Sequence, residues 1–247
     1  LNPLRDALER TIDFDAIAQH PGLKVFVSAT HVATGKAVVF TGARLDAAAV
    51  LASACLPLLF QAVEIDGEAY WDGGSSVNPA LPPLVRACQS ADLLLVQINP
   101  VTRQEVPRTT ADILDRTSEL TFNASLLTQV RAIAFVNQLL ERGLLDATTA
   151  RAMRIHRIDG GPTLSAYPAS SRALPDPVML RQLFEAGRQA GASWLEHHFD
   201  ALGHRGTVDL RQDYLDDTWR GLAPATAPPR STGRGFRRWL RSLASRG

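Results

Sequence analysis

Cysteine, aromatic residues and long apolar runs are all scarce in this chain. No run reaches the roughly 18 apolar residues that a membrane-crossing helix needs. The only cysteines are Cys55 and Cys88. Both stand in apolar or helical surroundings with no close spacing. That excludes a disulfide scaffold and a cysteine zinc site, and predicts buried free thiols. Net positive charge is missing from the body of the chain. The formal net charge is +1, and six arginines with no acid between Arg230 and Gly247 leave −5 on everything before them. A mildly acidic body excludes a nucleic-acid-binding face. No serine stands in a G-x-S-x-G context, the strained strand-to-helix elbow that exposes a hydrolase nucleophile. Gly191-Ala192-Ser193 comes closest, but Trp194-Leu195 follows in a helical pattern. A Gly-rich oxyanion loop is also missing.

What is present is ordinary for a globular chain: 45% hydrophobic and 21% charged residues over 247 positions, enough to bury a core. Pattern and punctuation predict a helix and turn over 1–19, strands over Leu23–Thr30 and Ala37–Thr41, and an Ala-rich helix over Leu45–Ala54 stopped by Pro57. Val63–Ile65 and Glu68–Trp71 flank Asp66-Gly67, the favoured two-residue hairpin turn. Pro79 is expected to start a helix running to Cys88. Asp92–Asn99 is a nearly continuous apolar run, the signature of a strand buried on both faces. Thr109–Arg142 has helical spacing long enough for one long helix or two, with Gly143 as its stop. Asp146 is expected to cap a short helix to Met153. Met153–Ile158 alternates like a strand, a loop follows to Pro177, and helices are expected over Pro177–Leu202 and, more weakly, Thr207–Arg220. Strands alternating with helices predict an α/β fold.

The stretch Leu51–Pro83 concentrates the signals for chemistry. An Asp at the end of a strand, before two glycines, stands where open α/β sheets put their sites, and Asp72 could orient a group or act as a base. The competing reading is a plain turn, with Asp72 bonding its own backbone. Ser75 and Ser76 are expected to cap this loop rather than react. His31, His156 and the pair His197-His198 are expected to be structural, because nothing pairs them with a nucleophile and adjacent helical histidines face different ways. No metal set and no cofactor motif stand out. Residues 222–233 read as a linker. In the tail Arg234–Arg246, Phe236, Trp239, Leu240 and Leu243 share one helical face opposite most of the arginines. This is the pattern of a short basic helix that lies on an anionic membrane, or of a solvated tail.

Several segments together resemble the patatin-like phospholipase family. They are Ala52-Ser53-Ala54-Cys55-Leu56-Pro57, Leu59-Phe60-Gln61-Ala62-Val63-Glu64-Ile65-Asp66-Gly67, Tyr70-Trp71-Asp72-Gly73-Gly74, and Asn78 with Pro82. The likeness covers about the first hundred residues and is looser in the helices beyond. It implies a three-layer α/β sheet with helices on both sides, here in part, followed by a helical C-terminal extension. The division it suggests is residues 1–105 as the C-terminal half of a patatin-like domain, 106–221 as a helical region and 222–247 as linker and tail. It further implies a lipid acyl hydrolase with a Ser–Asp dyad. Asp72 would be its acid, Gly73 and Gly74 would complete the motif, a lipid acyl ester would be the substrate, and the serine elbow and oxyanion loop would precede this sequence. The alternative is a non-catalytic relative that binds lipid or a protein partner. The expected setting is cytoplasmic, with peripheral contact to an anionic membrane through Arg234–Arg246.

Overall fold

The computed structural model describes residues 3–103, 105–167, 171 and 176–215. These fall within one compact unit, Leu1–Leu215; residues 216–247, with the expected linker and basic tail, lie outside the described residues. The described chain runs α1 (Pro3–Thr11), α2 (Phe14–Gln19), β1 (Phe26–His31), β2 (Ala37–Thr41), α3 (Ala47–Ser53), β3 (Val63–Ile65), β4 (Glu68–Asp72), α4 (Leu81–Ala87), β5 (Asp92–Gln97), α5 (Thr110–Glu141), β6 (Arg154–Asp159), α6 (Gly161–Ser165) and α7 (Pro177–His198).

The fold is α/β, as the alternation predicts, with its strands divided between two sheets. The first is antiparallel in the order β2-β1-β4-β3, and the second is the parallel pair β5-β6. Asp66 and Gly67 both take positive φ, 53° and 80°, so β3 and β4 close through the tight turn their sequence specifies. Each sheet has its own core. Ala29, Phe40, Leu45, Ala49, Ala52 and Tyr70 cluster around the first. The small side chains of α3 let it lie close on β1. Leu81, Leu93, Leu95, Leu126, Val130, Met153, Ile155 and Tyr214 cluster around the second, where α5 covers one face.

Several local expectations change. The N-terminal helix is two helices, because the Asp13 side chain accepts from the Ala16 amide and starts α2 afresh. Pro79 does not start α4; the Asn78–Pro79 peptide is cis and α4 begins at Leu81, with Pro82 and Pro83 in its first turn. β5 is buried on one face only: Leu93 and Leu95 face the core, while Leu94, Val96 and Ile98 are exposed. After Gly143, whose positive φ ends α5, Asp146 holds a single turn rather than a helix. The expected loop after Gly160 includes the short α6, and Thr207–Arg220 is helical only over Arg211–Leu215 among the described residues.

α5 is one helix of 32 residues, and several of its polar side chains hold loops. Ser125 Oγ accepts from the Asn78 amide at 2.9 Å; Gln129 Oε1 accepts from the Leu81 amide at 2.8 Å while its Nε2 donates to the Pro79 carbonyl at 2.7 Å. Asn123 donates to the Pro100 carbonyl at 2.9 Å. Buried Glu119 accepts from Arg103 at 2.5 Å and Arg116 at 3.1 Å. Burial pushes the Glu119 carboxyl up, but the two guanidiniums outweigh it and hold the group below its usual range. No helix among the described residues is long and apolar enough to cross a membrane.

Candidate active site

Asp72 is the last residue of β4, and register pairs it with Ala29 of β1. Its main chain is fixed on both sides: its amide donates to the Cys55 carbonyl at 2.8 Å, and Thr30 Oγ1 donates to its carbonyl at 2.8 Å. The Thr30 hydroxyl has one proton, already given to Asp72. Its 2.8 Å contact with Ser76 Oγ is therefore one in which Ser76 donates. That engagement gives Ser76 the loop-tying role its position suggests.

The Asp72 side chain caps the tight helical turn Gly73–Ser75, with Oδ1 accepting from the Gly74 amide at 2.6 Å. The turn reading of the Asp-Gly-Gly sequence is observed, and the same geometry is compatible with the other. Asp72 bonds its own backbone, and that same bond sets the orientation of a carboxylate at the end of a strand. Neither glycine is here for positive φ. They are here for close approach. A Cβ on Gly73 would collide with the Ser28 carbonyl oxygen and lie 2.6 Å from its hydroxyl; a Cβ on Gly74 would lie 2.5 Å from Cε2 of Phe122 and 2.9 Å from Asp72 Oδ1. Gly73→Ala should cost about 2 kcal/mol or more in urea unfolding, the upper range for overpacking, because its obstacle is backbone. Gly74→Ala should cost less, because a phenyl ring can swing away.

Phe122 was not legible as a site residue. It sits in an apolar helical stripe like any core position. It also lines a groove along β5 with Leu81, Leu84, Leu94, Val96 and Ile98. Beyond its pairing with β6, β5 has no strand neighbour among the described residues, so one edge of this parallel pair is open beside that groove.

The other candidates are structural. His31 contacts Glu68 Oε2 at 2.7 Å and Thr34 Oγ1 at 2.8 Å, using both ring nitrogens across the hairpins. His156 has no exposed surface; its Nε2 meets Asp92 Oδ1 at 3.1 Å and its Nδ1 meets Thr207 Oγ1 at 3.1 Å. This Asp–His–Thr chain has the connectivity of a relay, but Asp92 is also gripped by Arg154 at 2.7 and 3.0 Å and by the Gly203 amide at 3.1 Å. It is a clamp that joins the start of the parallel pair to the segment after α7. His197 contacts the Ser193 carbonyl of its own helix at 2.8 Å, while His198 lies against Trp194. Among the described residues no three His, Cys, Asp or Glu gather as metal ligands. Cys55 is buried, donates to the Gln61 carbonyl at 3.1 Å, and has its thiol pushed up chiefly by burial; Cys88 is partly buried.

A family model described as patatin-like phospholipase matches residues 3–84. This stretch of the chain is similar to that family. The match takes in α1 to α4, the whole antiparallel sheet and Asp72-Gly73-Gly74, and stops before the parallel pair. The patatin-like segment therefore carries the candidate acid, while Phe122, Ser125 and Gln129, which hold its following loop, come from outside it. No curated protein matches the chain. Patatin-like phospholipases are lipid hydrolases, which sets the class of chemistry to test here.

Proposed function

We propose that this chain contributes the acid of a Ser–Asp lipid acyl hydrolase whose serine and oxyanion loop lie outside residues 1–247. The observation that carries the reading is Asp72 itself, fixed at the end of β4 by the Gly74 amide and lying within the patatin-like segment. The serine hydroxyl attacks the acyl carbon, Asp72 takes its proton, and the ester oxygen leaves with a proton as the acyl-serine forms. Water then attacks the acyl-serine and regenerates the serine. Backbone N–H groups of a Gly-rich loop hold the oxyanion. Two further features support an outside contribution. One is the open edge of β5 with exposed Leu94, Val96 and Ile98 beside it. The other is the buried indole N–H of Trp71, one residue before Asp72, which has no acceptor among the described residues.

The test is reconstitution. Residues 1–247 alone should leave p-nitrophenyl butyrate unhydrolysed, and joining them to a segment with a Gly-rich loop and G-x-S-x-G elbow should restore turnover. Hydrolysis by residues 1–247 alone would overturn the two-part arrangement.

The absence of G-x-S-x-G from the sequence favours a second reading, a non-catalytic lipid- or protein-binding module. Its membrane contact would run through Arg234–Arg246. Truncation at Leu222 should then abolish binding to phosphatidylserine vesicles at low salt, since each basic residue near an anionic surface contributes about 1 kcal/mol. Unchanged binding would remove the tail from the account.

A further inference from the structure

α7 leaves one flank bare. Its inward face runs through Met179, Leu183, Ala190 and Trp194, and the Trp194 ring stands edge-on to His156 with centroids 5.7 Å apart. Beside that face, at steps of three and four residues, one helical stripe carries Leu180, Phe184, Gly187, Gly191 and Leu195. Its three large side chains meet solvent: Leu180 is 52% exposed, Phe184 72% and Leu195 54%. Its two glycines have no task within the chain. Neither takes positive φ, and a Cβ on either would meet nothing within 4 Å, unlike one on Gly73 or Gly74. Glycine weakens a helix interior relative to alanine, so two of them between exposed large side chains point to close approach from outside the chain.

The order of the stripe fits a second copy of itself. When two such helices lie antiparallel with Gly187 at the two-fold axis, Leu180 of one falls beside Leu195 of the other. The Phe184 ring then falls on the gap left by the other's Gly191. Both matches repeat on the far side of the axis, as a contact between identical surfaces requires. Gly187 meets its own counterpart and lets the helices come close. Charge agrees with this direction. On one flank of the stripe Arg188 holds Glu185 of its own helix at 2.7 and 3.0 Å, with side chains 64% and 45% exposed. The antiparallel mate brings Arg188 of each copy within reach of the other's Glu185. Two arginines and two glutamates then interleave around the axis with no net charge. A hydrocarbon surface offers no charge to match and gives no reason for the glycine gaps.

We infer that this flank of α7 is the contact surface between two copies of the chain, paired antiparallel about Gly187. The inference does not depend on the hydrolase reading, and its failure would leave that reading standing. Three large side chains per copy make a narrow contact, at the low end of specific interfaces and below about 1,200 Å² in all. The pair is therefore reversible, and monomer prevails at low concentration.

The experiment is sedimentation velocity of residues 1–247 from about 1 to 100 μM, across which the sedimentation coefficient should climb from a monomer's toward a dimer's by mass action. Phe184→Ser and Gly191→Leu should each weaken association about tenfold or more, one by removing the ring and the other by filling the gap it enters. Both positions are on the open flank, and circular dichroism on the same samples checks that the helix persists. Charge reversal tests the register. Arg188→Glu alone and Glu185→Arg alone should each weaken self-association, and an equal mixture of the two should restore it through the mixed pair. In a chain also carrying Cys88→Ser, Gly187→Cys should cross-link to its own kind on oxidation by copper–phenanthroline, and Leu180→Cys should not. A monomer at every concentration, a dimer unchanged by Phe184→Ser, or cross-linking at Leu180→Cys instead would overturn the contact. So would a monomer that binds phosphatidylcholine vesicles through Phe184, which would give the stripe to lipid.

Discussion

Asp72→Asn, in a protein joining residues 1–247 to a G-x-S-x-G segment, should lower p-nitrophenyl butyrate hydrolysis about 10³-fold, within the usual range for removing a general base. The substitution separates the two jobs of this side chain. The amide oxygen of Asn can still accept from Gly74, whose N–H now bonds Oδ1 at 2.6 Å, so the Gly73–Ser75 turn keeps its cap. What Asn cannot do is take a proton from serine. Unfolding midpoints should therefore match the parent within a few tenths of a kcal/mol, since N-capping by Asn and Asp is about equal. Asp72→Ala removes both functions and should cost about 1 kcal/mol of stability in addition to the activity. Turnover by Asp72→Asn close to the parent's would end the dyad assignment and leave Asp72 as a turn residue. Full inactivity with a collapsed fold is separated from loss of the base by circular dichroism on the same sample.

The largest stability loss should come from Asp92→Ala, at about 2–3 kcal/mol, the range for losing hydrogen bonds to a charged group at a partly exposed site. Asp92 joins three parts of the second sheet region: Arg154 and His156 on β6, and Gly203 after α7. Its side chain is only 17% exposed, so solvent screens the Arg154 contact weakly. Removing the carboxylate leaves the Arg154 guanidinium, the His156 ring and the Gly203 amide facing a gap. The hydrogen bonds from Arg154 chiefly, aided by His156 and Gly203 and opposed by burial, hold the Asp92 carboxyl far below the usual carboxylate range. A depressed carboxylate stabilises the fold above the unfolded-state value of about 4, and that contribution fades as pH falls below it toward the folded-state value. The gap between parent and Asp92→Ala should therefore be full at pH 7 and narrow steadily below about pH 4. Urea unfolding across that range measures it; a gap independent of pH would mean the loss is one of packing, not charge. The same position bears on function. If Asp92–His156–Thr207 were a catalytic relay, Asp92→Asn would abolish turnover in the reconstituted protein at permissive temperature. As a clamp, it should leave turnover intact.

Sequence alone determined the local structure around Asp72, because the signals there are short-range. The Asp66-Gly67 turn, the flanking β-formers and the two glycines are each dictated by φ and by strand propensity within a few residues. The Ala-rich α3, the stop at Gly143 and the Asp176 cap of α7, which accepts from the Val178 and Met179 amides, have the same origin. The resemblance read from those segments runs over about the first hundred residues, and the family match covers residues 3–84 of them. Tertiary structure decided the rest. Whether a strand is buried on one face or two depends on what packs over it, so the apolar run of β5 looked fully buried and is not. The two glycines were expected to let the chain turn sharply and approach something closely; only the structure names what they approach, Ser28 and Phe122, distant in sequence. That Ser125 and Gln129 bond the loop from Asn78 to Leu81 is decided in the tertiary structure. Propensity acts between neighbours along the chain, whereas burial and close approach act between neighbours in space, and the candidate site draws on both.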